Sequence, residues 1–406
     1  MKDKIVVTGM GAVTPVGIGV DTYWGNLTAG QCGIDRISSF DASDLAVQIA
    51  AEVRDFVAED YLPGKLIRET DAFTQYAFVA AKEALEDTGL NDILSRPDRC
   101  GVIMGTAMAG IDTIAATQEL LTNAVHKNVG PRFVPRILGN IAAAQIAIEY
   151  NITGPSYTLS TACASGGDAI GMSAMLLLSG EADMMLAVGA DSTLCPLVIY
   201  SLANAQALSR ENDNPQSSCR PFDSSAKGFV MGEGGGALIL ETESHAKARG
   251  AHVYAELAGW ANNNDAWHVT RPMDEGAMSA ECMRKALAKA GLSPKDVDYI
   301  NAHGTGTLKS DEAEARAMLG LFGDTSPAIS ATKAATGHMM GGGGITEAIA
   351  CIKAIETGTL PPTLNLTDPV ADLDFVTETR TGADIQTAMS NAFGFGGQNS
   401  TIIFKK

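Results

Sequence analysis

A chain of 406 residues that is 46% hydrophobic and only 19% charged has the apolar content of a large buried interior. Its formal net charge of −18 excludes a nucleic-acid binder of the usual kind, because phosphate recognition needs a surplus of Lys and Arg. Aromatics make up 6%, so Ala, Val, Ile, Leu and Met must fill the core, and 43 glycines imply tight turns and close backbone approaches.

The opening MKDKIVVTGMGAVTP has too short an apolar part for a signal peptide and reads as a cytoplasmic start. Its period-2 stretch Lys4–Thr8 predicts a strand. VTGMGAVTPVG imitates a dinucleotide fingerprint at Gly9 and Gly11, but Thr14 takes the third glycine position and Pro15 interrupts the expected helix, so the match is rejected. A helix follows over Asp71–Thr88, closed by Gly89, then a strand over Arg99–Gly105 and helical stretches at Ile111–Leu121 and Ile137–Tyr150. No apolar stretch reaches the ~18–20 uninterrupted residues of a spanning helix, and no basic amphipathic run suggests a membrane surface. The seven scattered cysteines include no CxxC pair, which predicts free thiols in a reducing compartment.

Two segments echo one another. Tyr157–Ala182 and Ala328–Gly358 each read as a short strand ending in Ser or Thr, a Gly/Ala-rich turn and an apolar helix. Cys163 and Lys333 stand three residues beyond Ser160 and Ser330. Two related α/β halves, each alternating strand and helix, would give layered sheets sandwiched by helices. No low-complexity tract divides them.

The chemistry-bearing positions lie in and beside these segments. Cys163 falls between a strand and the helix opened by Ser165, Gly166 and Gly167, where the helix dipole and free N–H groups are expected to lower a thiol's pKa and favour a nucleophilic thiolate. His303 in NAHGTGT and His338 in TGHMMGGGG are set among glycines, a context that exposes a side chain to a ligand. A zinc site is the competing reading, weakened by the 35 residues between the histidines and the lack of a further Cys/His cluster. His268 is a weaker candidate; His126, His245 and His252 read as surface positions. In SNAFGFGGQNST, Gly394, Gly396 and Gly397 surround Phe395, as in a mobile turn that aims N–H groups at a ligand oxygen or, equally, a glycine-rich hairpin.

Taken in order and spacing, TACASG, HGTGT, TK, GHMMGGGG and NAFGFGGQN resemble the motifs of the β-ketoacyl acyl-carrier-protein synthases, and the likeness runs from VTGMGAVTPVG through RPFDSSAKGFVMGEGGG to IIFKK. The resemblance implies an α/β thiolase fold of five layers, αβαβα, in two repeated halves (residues 1–250 with the nucleophile, 251–406 with the histidine pair and lysine), and a homodimer working without a cofactor. It implies that Cys163 accepts the acyl group, that His303 and His338 stabilise the enolate left when a malonyl thioester loses CO₂, and that Lys333 and Glu347 form a supporting ion pair. Phe395 matches a gating aromatic. Thr270, Thr305 and Thr307 match contacts to the phosphopantetheine arm of an acyl carrier protein. Met108, Val198 and Leu202 match the acyl pocket, while Lys65, Arg68 and Lys127 match the carrier-docking rim. Asn301, Glu347, Ser390 and Asn391 match a monovalent-cation site of some relatives. Val198, Leu202 and Gln206 stand where a Gly, an aromatic and an Arg are usual, and Glu69 replaces a basic residue. These losses of positive charge predict slower association with an acidic carrier. The expected activity is elongation of an acyl chain by two carbons in fatty-acid synthesis. The alternatives are a specialised polyketide or polyene ketosynthase, or a partner subunit without activity, which the presence of Cys163 and both histidines argues against.

Overall fold

The computed structural model describes residues 3–89, 96–125, 129–323, 325 and 327–406. Strands β1 (Ile5–Thr14), β2 (Cys100–Gly105), β3 (Ser156–Leu159), β4 (Met184–Asp191) and β5 (Gly234–Thr242) lie in the order β3-β2-β4-β5-β1. Strands β6 (Ala255–Asn264), β7 (Tyr299–Asn301), β8 (Ala328–Ser330), β9 (Thr387–Gly394) and β10 (Gln398–Lys405) repeat it as β8-β7-β9-β10-β6. Directions repeat as well: β2 runs parallel to β3 and β4 and β7 parallel to β8 and β9, while the remaining neighbours pair antiparallel. The two sets meet where Val6 and Val7 of β1 pair with Glu256 and Ala255 of β6.

Helices complete five layers. The first half's sheet is covered on its outer side by α1 (Ala72–Asp87), and α2 (Ile111–Thr122) follows β2. Helix α3 (Ser165–Ser179) packs between the two sheets, and α4 (Pro196–Asn204) follows β4. On the outside of the second sheet lie α5 (Ala277–Ala290) and α6 (Leu308–Phe322), and α7 (Gly343–Thr357) joins α3 in the middle layer. Position in the layers explains composition. Ile345, Ile349 and Ile352 on α7 are wholly buried, as is every neighbour from Gly343 to Ile355, so a two-faced pattern is not available to this helix. Each such isoleucine is worth roughly 1.5–3 kcal/mol of burial. Both central helices end at left-handed glycines, Gly180 (φ 79°) and Gly358 (φ 61°).

Several sequence expectations shift. The first strand continues to Thr14, and Gly11 is explained by packing: a Cβ there would come within 2.0 Å of the Ala80 carbonyl oxygen on α1. The helix predicted from Ile137 is two pieces, Phe133–Ile137 and Asn140–Glu149, separated by an extended Leu138. The stretch Ala162–Ser179, 18 residues of mean hydropathy 1.2, does have the length and composition of a spanning segment, but 61% of it is buried within the protein's middle layer.

Candidate active site

The middle layer brings the two halves' chemistry together. Helices α3 and α7 cross where side chains are absent: a Cβ on Gly344 would fall 2.7 Å from the Gly167 nitrogen, and one on Gly166 would fall 2.6 Å from the carbonyl oxygen of Gly341, just before α7. That contact sets the turn carrying Cys163 against the loop carrying His338. Ala162, with φ 51°, bends the chain into the elbow before Cys163. The elbow is pinned by the Thr161 N–H donating to Ser165 Oγ at 2.9 Å and the Thr161 hydroxyl donating to Asp168 at 2.7 Å.

Cys163 Sγ lies 3.0 Å from His338 Nε2, and the rings of His303 and His338 meet edge to face with centroids 5.5 Å apart. Lys333, 2% exposed, donates from Nζ to the His303 carbonyl at 2.6 Å and pairs with the Glu347 carboxylate. The His303 loop is held from below by two carboxylates of α6. Glu314 accepts from His303 N–H and Gly304 N–H, each at 2.9 Å. Asp311 accepts from Thr305, Gly306 and Phe222 N–H at 3.0, 3.1 and 2.8 Å. The sequence reads DEAEARAMLG only as a helix, because the burial of Asp311 in its first turn and of Glu314 in its second emerges only in the fold. A third carboxylate, Asp191 at the end of β4, accepts from the Thr106 hydroxyl (2.8 Å) and from Ala107 (2.8 Å), Met108 (3.1 Å) and Gly341 (2.8 Å) N–H.

Burial dominates the electrostatics. Both histidines are buried (6% and 3% exposed) yet line a cavity, so glycine neighbours did not leave them in the open as expected. Burial, then Lys333, holds each imidazole's pKa well below the usual value, with His338 adding to the effect at His303. Both are neutral near pH 7. The Cys163 thiol departs from its expectation: burial pushes it up to about 11, against the opposing pull of Lys333 and of the Phe395 and Cys163 N–H groups. Backbone N–H groups do pull the thiol toward thiolate, but desolvation outweighs them. Burial likewise raises Asp311 and Glu314 to about 7.

The cavity, about 330 Å³, is lined by Cys163, His303, His338 and Phe395, with Thr270, Thr305 and Thr307 along its wall and Leu202 and Gln206 at one side. Phe395 is 41% exposed and follows the Gly394 that abuts the Cys163 N–H. Val198 packs in the same apolar cluster as Cys163, whereas Met108 is 38% exposed on the loop tied to Asp191 and is not among the lining residues. Lys65 and Arg68 are exposed near Glu69, which pairs with Arg132 at 3.2 Å. Lys127 and His126 lie outside the described residues. His245 is partly exposed, as a surface position, and its Nδ1 lies 2.5 Å from the buried Glu241 carboxylate, which also pairs with Arg249. All seven cysteines are free thiols.

The thiol and two imidazoles gather their ligand atoms within 4.8 Å, compact enough for a metal ion. The Lys333 ammonium opposes that reading, since its positive charge bears on all three groups. For the monovalent cation the fit is partial. Asn301, in register with Ser390, keeps its side-chain Oδ1 buried without a hydrogen-bond partner, as a ligand oxygen would be. Asn391 Oδ1 instead accepts from Thr401 at 2.9 Å, and Glu347 is committed to Lys333 through one oxygen.

Family models match along most of the chain: the N-terminal domain of β-ketoacyl synthases over residues 2–246 and the C-terminal domain over 254–367. The 3-oxoacyl-(acyl-carrier-protein) synthase 2 of Coxiella burnetii is 41% identical over 409 aligned positions, spanning 100% of this chain and 99% of that one. Among solved structures, the ishigamide ketosynthase/chain length factor superposes with a TM-score of 0.93 at 33% identity, 100% of both chains covered. A type II polyketide ketosynthase in complex with its acyl-carrier protein gives 0.89 at 33% identity, over 100% of this chain and 99% of the other.

Proposed function

The chain belongs to the β-ketoacyl synthase family, and from that premise we propose how its residues carry out the condensing acyltransferase reaction of a 3-oxoacyl-(acyl-carrier-protein) synthase. The observation that carries the reading is the Cys163–His338 contact of 3.0 Å in a cavity shared with His303.

Cys163 attacks an acyl thioester delivered on a carrier protein. Its proton passes to His338 Nε2 and leaves with the carrier thiol, so the buried site carries separated charge only during transfer. The Cys163 and Phe395 N–H groups stabilise the oxyanion. A malonyl thioester then enters along Thr270, Thr305 and Thr307. As its carboxylate departs as CO₂, negative charge grows on the thioester oxygen, where neutral His303 donates a hydrogen bond and neutral His338 joins it in the tautomer that carries its proton on Nε2. The resulting enolate forms the new carbon–carbon bond with the acyl carbonyl, the Cys163 thiolate leaves and is reprotonated, and the product is a 3-oxoacyl thioester two carbons longer. Lys333, Glu347 and Glu314 position this constellation. No step is routed through a monovalent cation.

A second copy of the chain completes the working unit. The edge strand β3 and exposed apolar side chains at Tyr157, Val134, Leu197 and Tyr200 (55–58% exposed) support a homodimer interface. A specialised carrier protein is a second reading, supported by Gln206 at the cavity's side and by the Glu69–Arg132 pair, which neutralises a cation of the rim. Gln206→Arg should then speed transacylation from a housekeeping carrier; an unchanged rate would count against it.

The division of labour is tested with Cys163→Gln. That variant should lose acyl transfer but keep decarboxylating malonyl-carrier protein, since the histidines and not the thiol meet the enolate. A Gln variant inert in both assays would refute it.

A further inference from the structure

Arg271 has no role in the mechanism above, yet it lines the catalytic cavity while being exposed, which puts it at the mouth. It is the only Lys or Arg among the described lining residues. The carboxylates that share this lining are already engaged. Asp265 accepts from Asn399 Nδ2 at 2.7 Å and from Met273 N–H at 3.4 Å, and Glu314 holds the His303 loop. Arg271 makes no ion pair among the described residues, so its guanidinium is available to a ligand.

Its backbone, by contrast, is fixed. His268 Nδ1 accepts from the Thr270 N–H at 3.0 Å and the Arg271 N–H at 3.2 Å, closing a turn that presents both side chains. The same turn is tied to the rim opposite by the Gly396 N–H donating to the Val269 carbonyl at 2.6 Å. Hydroxyls of Thr307 and Ser310 line the cavity beside it.

A carrier arm has its thioester at one end and a phosphodiester at the other. With the thioester at Cys163, the anion must sit toward the mouth. We propose that Arg271 is the phosphate contact of this channel, gripping the phosphodiester of the incoming phosphopantetheine arm, and that His268 is the positioning residue for the turn that carries it. The inference rests on the condensing-enzyme reading. A planar guanidinium suits a phosphate through paired N–H donors, and on a chain of net charge −18 a local cation is needed to receive a second anion.

The test compares two small thioesters of one acyl chain, acyl-phosphopantetheine and acyl-pantetheine, as donors to Cys163 at low salt, with transfer followed by intact mass. Wild type should favour the phosphorylated donor in kcat/KM by about tenfold, the scale of one charge-assisted hydrogen bond. Arg271→Gln should bring that ratio close to one, Arg271→Lys should keep part of it, and His268→Ala should lower it. A wild-type ratio near one, or an undiminished ratio in Arg271→Gln, overturns the role of Arg271 while leaving the condensing reading intact. Failure of wild type to take the acyl group from either donor refutes the condensing reading itself, and the inference with it.

Discussion

Replacing Lys333 with Met separates two duties of one buried charge. Its ammonium is 2% exposed, bonded to the His303 carbonyl and the Glu347 carboxylate, and it contributes to holding both imidazoles neutral. Removing it alone leaves Glu347 buried without its counter-charge, a change that typically destabilises by ~3–5 kcal/mol. Lys333→Met/Glu347→Gln removes both charges and should recover most of that loss, to within about 1–2 kcal/mol of wild type. Urea unfolding reads this directly through the midpoint at constant slope. The pH profile should not recover. In the proposed mechanism protonated His338 cannot take the Cys163 proton, so transacylation should fall on the acid side as the imidazole titrates. Lys333 lowers that pKa; without it the acid limb must move to higher pH in single and double variants alike. Burial, the larger cause, still acts, so the limb should stay below the ordinary histidine range. A double variant of wild-type stability whose acid limb has not moved would refute the claim that Lys333 sets the charge state of the pair.

Two further outcomes are expected. Alkylation of Cys163 by iodoacetamide should keep accelerating up to a pH of about 11, well beyond the plateau of a free thiol near 8.5, and a plateau at neutral pH would contradict the buried, protonated ground state. Asp191, raised to about 6 by burial, has a folded pKa above its unfolded value of about 3.9, so its ionisation lowers stability as pH rises from roughly 4 through 6. Asp191→Asn should flatten that slope in urea titrations, while Asp191→Ala, which frees four donors, should destabilise by about 3 kcal/mol or more.

Much of the architecture is legible because it is local. The α1 and α2 patterns and the strand before Gly105 emerge within one residue or so of their observed ends. The echo between the Cys163 and Lys333 segments corresponds to equivalent positions in the two five-strand orders. What the residues could not disclose depends on distance in sequence. The depth of Cys163 follows from α7 crossing α3 at Gly166, so the strand–turn–helix motif locates the thiol at an elbow but misjudges its protonation. Asp191, Asp311 and Glu314 looked like ordinary acids because their partners are backbone N–H groups of other loops, which leave no mark on composition. The tie of His245 to Glu241 is hidden for a related reason: Glu241, four residues earlier, is buried in β5, and that is visible only once the sheet is formed.

The most direct measurement is intact-protein mass spectrometry after incubation with a panel of acyl-carrier thioesters, followed by malonyl-carrier protein. A stable acyl adduct on Cys163 that is discharged on adding the malonyl donor, with a 3-oxoacyl thioester two carbons longer as product, is the predicted result. A chain that takes up no acyl group from any donor, or holds one that malonyl-carrier protein never discharges, would contradict the assignment of Cys163, His303 and His338 to one condensing site.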